Sequence, residues 1–240
     1  MDTLYVHEEN VHNLTAPREV VPIIMSIVKP KSVLDVGCGI GTWLKVFEEH
    51  GVTDYLGVDG NYVNRNLLKI PQSNFFPFDL TNELVLRKKF DLVISLEVAE
   101  HIPEKSADLF VKSLALHSDI ILFSAAVPGQ GGQNHLNEQW PKYWEKKFER
   151  HGFYFHDIVR PLIWENNKVD WWYRQNIFLL TKKFSDTPIH ASIHPDCFAQ
   201  LVERVRKCDN QSSASEEIGV YHSLLRLMRS IRKSTLRTIK

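Results

Sequence analysis

Between Ser32 and Lys183 the chain alternates short, apolar, β-branched runs with longer segments of helical periodicity. Parallel strands that are joined by crossover helices and buried on both faces give this pattern. It predicts an α/β protein with a seven-stranded, mostly parallel sheet flanked by helices. The predicted strands are Ser32–Gly37, Tyr55–Asp59, Asn74–Asp79, Phe90–Leu96, Asp119–Ser124, Phe153–Val159 and Asn176–Thr181.

Two further helices are predicted from residue types that begin or end a helix. Thr15 and Pro17 are typical of a helix start, and Pro30 is typical of a helix end. They predict a helix over residues 15–29 that covers one edge of the sheet. A second helix is expected over Glu138–His151, after the fifth strand.

The alternation ends after Lys183, and this change predicts a domain boundary. Two helical segments follow, at about Pro195–Cys208 and Glu216–Ile239. We therefore expect one α/β domain over residues 1–184 and a helical C-terminal extension over residues 185–240.

The charge balance limits the partners that this chain is expected to bind. Twenty-nine Lys and Arg residues balance 29 Asp and Glu residues, so no overall field attracts nucleic acid or an anionic membrane. Residues 226–240 are a local exception, because they contain basic residues and no acid. Two interpretations of this stretch stay open: a solvated surface helix or frayed tail, or an amphipathic helix that contacts a membrane or a partner peripherally.

Cysteine spacing and the N-terminal segment favour a cytoplasmic protein. Cys38, Cys197 and Cys208 are widely spaced and lack the ligand spacing of a structural zinc site. The N-terminus lacks the features of a secretion signal, and no apolar run approaches the roughly 20 residues of a membrane helix. These features leave the oligomeric state open.

The segment Val33–Gly41, with the sequence VLDVGCGIG, leads from a predicted strand into a helix near Thr42. Glycines at such a turn let a ligand approach the backbone, and the helix N-terminus presents N–H groups to it. A dinucleotide-binding GxGxxG turn would have its third glycine where Thr42 stands. The spacing here is GxGxG instead, and Asp35 lies two residues before the first glycine.

This motif resembles the first motif of the class I S-adenosylmethionine-dependent methyltransferases. The segment Phe90–Ile102 resembles the fourth strand and following turn of the small-molecule and sugar O-methyltransferase branch of that family. The resemblance implies a Rossmann-like fold and S-adenosylmethionine as cofactor. It implies that Asp59 holds the ribose hydroxyls and that Asp79 contacts the adenine. The residues expected to bind the cofactor are Asp35, Gly37, Gly39, Asp59, Asp79, Leu80, Leu96 and Glu97.

Two of these acids also have a purely structural interpretation. Asp79 is of a residue type that caps the N-terminus of a following helix. Asp35 is able to orient the glycine loop through backbone N–H groups without touching the cofactor. The sequence leaves both alternatives open.

Methylation of a hydroxyl requires a general base, and histidine is the commonest one. His135 lies in the Gly-rich segment Ala125–Asn137, which is expected to be a mobile surface loop, and His101 follows the fourth strand. Both are candidates for the base. The alternatives are that His101 packs beneath the cofactor pocket and that His135 bonds only to backbone.

Aromatic and amide side chains near these histidines hint at a carbohydrate acceptor, because they stack on sugar faces and bond hydroxyl groups. The candidate substrate-binding residues are Gln133, Asn134, Trp140 and Trp172. At least two of the four tryptophans at positions 140, 144, 171 and 172 are expected to be packing residues instead. Because Ser124–Gln133 contains no acid, no metal is expected.

Other functions remain as alternatives. An NAD-dependent oxidoreductase predicts a glycine in place of Thr42, and a non-catalytic binding module predicts loss of the cofactor acids. Nucleic-acid amino-methyltransferases tend to carry an (Asp/Asn/Ser)-Pro-Pro-(aromatic) motif, which Ser95–Val98 lacks. Methylation of a protein or a lipid-like small molecule also stays open beside a polar small-molecule or glycan acceptor.

Overall fold

A computed structural model describes residues 12–184 and 192–212. Its strands are β1 (Ser32–Val36), β2 (Asp54–Asp59), β3 (Phe75–Pro77), β4 (Leu92–Leu96), β5 (Ile120–Ser124), β6 (Tyr154–His156) and β7 (Phe178–Thr181). They form one sheet in the order β3-β2-β1-β4-β5-β7-β6. Strands β1 to β5 pair in parallel, whereas β7 is antiparallel to both β5 and β6. The predicted Rossmann-like, mostly parallel sheet is confirmed, with every strand at its predicted place.

The helices of the described residues are α1 (Thr15–Ile27), α2 (Thr42–Glu49), α3 (Ala107–His117), α4 (Pro141–Glu149), α5 (Arg160–Ile163), α6 (Trp171–Asn176) and α7 (Pro195–Ser212). Helix α4 is shorter than the predicted Glu138–His151. It begins at Pro141, whose fixed φ suits the first turn of a helix. Glu138 lies before the helix, where its carboxylate accepts backbone hydrogen bonds from Gly129 and Gly131.

The interior strands of the sheet are buried on both faces, because successive residues of these strands belong to different hydrophobic clusters. Val33 of β1 belongs to a cluster that contains α1 and α2 residues, here called the α1-side core. Leu34 belongs to a cluster that contains α3 and α4 residues, here called the α3-side core. Leu179 and Leu180 of β7 divide in the same way. The chain thus has the two-faced burial that parallel strands require.

Helix α1 covers a face of the sheet, so the prediction that it covers an edge is wrong. Its residues Val20 and Ile24 are fully buried and share the α1-side core with Ile94 of β4 and Leu179 of β7. Both strands are interior strands of the sheet. The sequence pattern gives the apolar stripe of this helix but does not say which strands it contacts.

The chain divides into two compact units, Met1–Ser192 and Ile193–Lys240. In the second unit, α7 begins at Pro195, where a helix is predicted. The helix predicted over Glu216–Ile239 and the basic stretch 226–240 lie outside the described residues. Among the helices of the described ranges, none is long and apolar enough to cross a membrane.

A buried ion pair fixes the segment after β6. The Arg160 guanidinium donates two hydrogen bonds to the Asp157 carboxylate, one of them from Nε at 2.8 Å, and both side chains are almost fully buried. Its Nη1 also donates to the Gln175 carbonyl at 2.9 Å. Because Gln175 precedes the last residue of α6, this pair holds the end of α6 in place.

We expect Asp157→Ala to lower the free energy of unfolding by about 3–5 kcal/mol, because it leaves a guanidinium buried without its carboxylate. Urea denaturation followed by circular dichroism measures the loss. Glu49→Ala is the matched control, since it breaks the exposed pair with Arg18 and should cost about 1 kcal/mol or less. Equal losses in the two variants would contradict the structural role of the buried pair.

Candidate active site

The glycine loop connects β1 to α2 at the carboxyl edge of the sheet. The backbone N–H groups of Gly37 and Cys38 donate to the Val58 carbonyl of β2, at 2.7 and 3.2 Å. Gly37 has φ +88°, and a Cβ there would lie 2.3 Å from Val98, which follows β4. The loop therefore packs between the ends of β2 and β4, at the point where the strand order reverses. In open α/β sheets this crevice is the ligand site.

Asp59, the last residue of β2, is hydrogen-bonded directly to the glycine loop. Its Oδ2 accepts from Gly39 N–H at 2.7 Å, and its Oδ1 accepts from Gly60 N–H and the Tyr62 hydroxyl at 2.6 and 2.8 Å. Burial raises the pKa of this carboxyl, and the hydrogen bonds from Gly39, Tyr62 and Gly60 oppose the shift. Asp59 thus presents a hydrogen-bonding carboxylate at the position that the resemblance requires.

Asp35 is buried in β1, below the glycine loop. Within the described part of the chain, its Oδ2 has no hydrogen-bond partner. Burial raises the pKa of Asp35 well above its usual range, and the negative charge of Asp59 adds to this shift. Because Oδ2 accepts no hydrogen bond from the loop, this atom does not orient the loop, as one alternative for Asp35 would require.

Asp79 follows β3 and organises a turn. Its carboxylate accepts hydrogen bonds from the N–H and hydroxyl of Thr81, at 2.9 and 2.7 Å, and from the Asn82 side chain at 3.0 Å. These bonds lower the pKa of Asp79. The alternative of a helix cap is wrong, because residues 78–91, which the structure describes in full, contain no helix. Leu80 beside it packs against the α3-side core.

The turn after β4 begins with Leu96, which is buried in the α1-side core, and Glu97, which has φ +54°. Such a φ is uncommon outside glycine and is concentrated at functional sites. The Glu97 carboxylate accepts from the side chains of Gln130 at 2.7 Å and Asn176 at 3.2 Å, so it joins the β5 loop to α6. Burial raises the pKa of Glu97 to about 7, while hydrogen bonds from Gln130, Ser124 and Asn176 oppose the shift.

Glu100, His101 and His135 meet at the same edge of the sheet. One potential ligand atom from each lies within 4.8 Å of the other two, and His135 Nε2 is 4.0 Å from Glu100 Oε1. The two imidazole rings stack edge to face with centroids 4.9 Å apart. Both candidate bases are therefore brought together.

The orientation of each ring is set by its Nδ1. His135 Nδ1 is 2.8 Å from Glu138 Oε1, so this histidine contacts a carboxylate rather than only backbone, contrary to its structural alternative. His101 Nδ1 is 3.3 Å from the Asn134 carbonyl. If each Nδ1 carries the proton of its hydrogen bond, the lone pair of each ring is on Nε2.

The segment Ala125–Asn137, predicted to be a surface loop, is exposed in its middle at residues 132–134 and buried at its two ends. Ala126 and Val127 are almost fully buried, and the N–H groups of Leu136 and Asn137 donate to the Glu100 carbonyl at 2.8 and 2.9 Å. The Gly-rich composition predicted exposure, but the buried Glu100 turn and the Glu138 carboxylate supply the partners that fix this backbone.

The aromatic candidates are less closely connected to the site. Trp144 is buried in the α3-side core, so it is one of the at least two packing tryptophans that were expected. Trp140 and Trp172 are half-buried, and Gln133 and Asn134 are exposed. Asn176, on the same short helix as Trp172, is the residue of α6 that reaches Glu97.

Five residues of this site were not candidates from the sequence: Tyr62, Glu100, Gln130, Glu138 and Asn176. Each acts by contacting a candidate that lies far away in sequence or across a turn. Glu138 has the clearest sequence signal, since it lies three residues after His135. The sequence interpretation assigned it to a helix instead.

The expectation of no metal depended on the lack of an acid in Ser124–Gln133. The structure forms a possible ligand cluster from other residues, because Glu100 and His101 come from the β4 turn and His135 from the later loop. A ligand set of one acid and two histidines from two separate segments does not show as paired acids after the fifth strand.

Comparisons with known proteins agree with this geometry. A family model described as a methyltransferase domain matches residues 11–159. No curated protein sequence matches the chain. Three similar solved structures share the fold. The methyltransferase domain of a bacterial protein named CtHen1 is 20% identical, with 70% of this chain and 100% of that chain covered and a TM-score of 0.51. The sugar N-methyltransferase KedS8 from Streptoalloteichus sp is 15% identical (76% and 97% covered, TM-score 0.56), and the S-adenosylmethionine-bound amino pentose methyltransferase CalS10 from Micromonospora echinaspora is 12% identical (76% and 100% covered, TM-score 0.56).

The residues of the site fit the cofactor of this family. A carboxylate at the end of β2 contacts the N–H of Gly39 in the glycine loop, and carboxylates accept the hydrogen bonds of ribose hydroxyls. The family match covers more than half of the chain, and the sheet order is that of a Rossmann-like fold. The chain therefore belongs to the class I S-adenosylmethionine-dependent methyltransferases, and S-adenosylmethionine is its cofactor.

Proposed function

We propose that this enzyme methylates a hydroxyl group of a sugar, a glycan or another small polar molecule. The observation that carries the proposal is the convergence of Glu100, His101 and His135 at the carboxyl edge of β4 and β5. Ligands of open α/β sheets bind at this edge. A hydroxyl must lose its proton as it accepts a methyl group, and this cluster offers the groups that assist the loss.

We assign the cofactor to the glycine loop and the ends of β2, β3 and β4. Asp59 is the residue proposed to bind the ribose, with Tyr62 giving up its hydrogen bond to Oδ1. The other proposed cofactor contacts are Asp35, Gly37, Gly39, Asp79, Leu80, Leu96 and Glu97. When bound, S-adenosylmethionine supplies an electrophilic methyl group together with its own leaving group, so the protein contributes mainly positioning and proton transfer.

His135 is the histidine best placed for that proton transfer. Its Nδ1 is held by Glu138, so Nε2 is directed towards Glu100, 4.0 Å from Oε1. A carboxylate that orients an imidazole also stabilises its protonated form. The hydroxyl loses its proton as its oxygen bonds to the methyl group, and the products are a methyl ether, S-adenosylhomocysteine and one proton.

The polar surroundings favour a hydroxylated acceptor over an apolar one. Gln133 and Asn134 are exposed in the segment that contains His135, and the half-buried Trp140 and Trp172 lie just before α4 and within α6. Amides bond hydroxyl groups, and indole rings stack on sugar faces. KedS8 and CalS10, which share the fold, are described as sugar and amino pentose methyltransferases, and this supports a carbohydrate acceptor.

Asp59→Ala should weaken the binding of S-adenosylhomocysteine at least about tenfold, because a hydrogen bond to a charged group contributes about 1.5–3 kcal/mol. Isothermal titration calorimetry on the full chain measures the dissociation constant. Tyr62→Phe is the control, since it leaves Asp59 with its bonds to Gly39 and Gly60 and should keep or improve the affinity. An unchanged affinity for Asp59→Ala would show that the ribose does not bind at the end of β2.

His135→Ala should lower the single-turnover rate of hydroxyl methylation by about 100- to 10,000-fold, the usual contribution of a positioned acid or base. The affinity for S-adenosylhomocysteine should stay the same, because the side chains that His135 contacts in the described part of the chain, Glu100, His101 and Glu138, lie outside the glycine loop. Transfer of labelled methyl from S-adenosylmethionine to a panel of sugars measures the rate. His151→Ala, at the end of α4 and outside the site, should keep the full rate.

Two outcomes of this assay would contradict the proposal. One is methyl transfer to amino sugars with none to their hydroxyl counterparts. The other is a full rate in His135→Ala and His101→Ala with a true hydroxyl acceptor.

A further inference from the structure

We propose that Glu100, His101 and His135 bind a divalent transition-metal ion, and that this ion holds the hydroxyl group of the acceptor. The first statement concerns only the protein and stands on the geometry of the three side chains. The second rests on the proposed function. The metal site and the role of the ion can each be disproved by an experiment that leaves the other untouched.

The distances suit a chelate. No separation among the three ligand atoms exceeds 4.8 Å, and the one between His135 Nε2 and Glu100 Oε1 is 4.0 Å. Ligand atoms that are each about 2.1 Å from one ion in a tetrahedral site lie about 3.4 Å apart. The 4.0 Å pair is about half an ångström wider than this, so the side chains would close around the ion by shifts of about an ångström.

Both imidazoles have the second contact that is usual for metal-binding histidines. A ligating histidine donates its other N–H to a carboxylate, a backbone carbonyl or water, which fixes the ring and its tautomer. His135 Nδ1 has a carboxylate partner in Glu138, and His101 Nδ1 has a backbone partner in the Asn134 carbonyl. Both arrangements place the lone pair on Nε2, the atom that would bind the ion.

The Glu100 carboxylate is the second, independent sign of a cation. It is fully buried, and among the described residues neither of its oxygens has a hydrogen-bond partner of good geometry. Burial raises the pKa of Glu100 well above its usual range and the charges of Glu97 and Glu138 add to this effect, while weak contacts with the backbone N–H groups of Glu100 and Ala126 oppose it. A buried, unpaired carboxylate is costly, and native proteins pair such groups or use them as metal ligands. A divalent cation at Glu100 supplies the missing partner and neutralises the surrounding acids.

The donor set indicates the class of ion. Two imidazole nitrogens and one carboxylate oxygen suit Mn²⁺, Fe²⁺, Co²⁺ or Zn²⁺, whereas Mg²⁺ and Ca²⁺ prefer oxygen ligands throughout. Three protein ligands also leave coordination positions open for a substrate oxygen, as in catalytic rather than structural metal sites.

Such an ion would activate the acceptor directly. A hydroxyl oxygen that binds a divalent cation has a lower pKa, so it loses its proton to water more readily as the bond to the methyl group forms. His135 would then act as a ligand, and the ion would take over the activation of the hydroxyl.

Cobalt binding tests the site without any acceptor. Untagged full-length protein is stripped with a chelator, dialysed and titrated with Co²⁺ while the visible absorption is recorded. We expect one equivalent to bind with d–d bands typical of nitrogen and oxygen ligands, and Zn²⁺ to displace it. Mg²⁺ at the same concentration should not displace it.

Variants assign the ligands. Glu100→Gln and His135→Ala should each abolish the cobalt spectrum, while Glu138→Gln should weaken binding about 10- to 100-fold through the orientation of His135. Gly132→Ala keeps all three ligands but places a Cβ 2.3 Å from His135 Nε2, so it should also weaken binding. Leu136→Ala, whose side chain is 65% exposed on the same loop, is the control and should bind cobalt normally. Unchanged affinity for S-adenosylhomocysteine shows that each variant is folded.

Each result decides one part of the proposal. A wild-type protein that binds no Co²⁺, Mn²⁺ or Zn²⁺, or a cobalt spectrum that survives both Glu100→Gln and His135→Ala, overturns the metal site. Hydroxyl methylation that continues at full rate after complete chelation overturns the role of the ion and leaves the proposed function intact. A confirmed metal site with no methylation of any hydroxyl acceptor overturns the proposed function and leaves the metal site intact.

Discussion

The Glu138 carboxylate is the interaction on which the geometry of the site depends most. Its two oxygens accept hydrogen bonds from the backbone N–H groups of Gly129 and Gly131, at 2.7 and 2.5 Å. The oxygen that binds Gly131 also lies 2.8 Å from His135 Nδ1. One side chain therefore fixes both the path of the loop and the orientation of the imidazole. The backbone bonds from the loop to the Glu100 carbonyl complete this arrangement. Without them, a Gly-rich segment would have many conformations, and His135 would not be held beside Glu100.

The sequence was sufficient for the parts of the structure that are set by local pattern. Buried parallel strands read as apolar runs, so all seven strands were predicted at their places, and a glycine-rich turn after the first strand identified the edge that binds ligands. The role of Asp59 came from the resemblance to the methyltransferase family, and the sheet order places the end of β2 beside the glycine loop. Periodicity did not reveal that α1 covers a face, because an apolar stripe does not specify which strands it contacts.

The parts that could not be predicted depend on contacts between segments that are distant in the chain. Glu97 is joined to Gln130 and Asn176, which are 33 and 79 residues away. The burial of the two ends of the Ala125–Asn137 segment was missed for the same reason, since composition does not show that buried groups bind its backbone. The metal prediction searched one segment for paired acids, whereas the possible ligands come from two segments and include two histidines. Pairings of this kind require the fold to be known first.

The central claim is that the methyl donor and the Glu100, His101 and His135 cluster share one site. A crystal structure of the protein with S-adenosylhomocysteine tests it most directly, because the sulfur marks the position from which the methyl group leaves. The account predicts that the ribose hydroxyls bond to Asp59 and that the sulfur faces the cluster, with room between them for an acceptor oxygen about 3 Å from the methyl position. A sulfur atom that points away from the cluster would contradict the account.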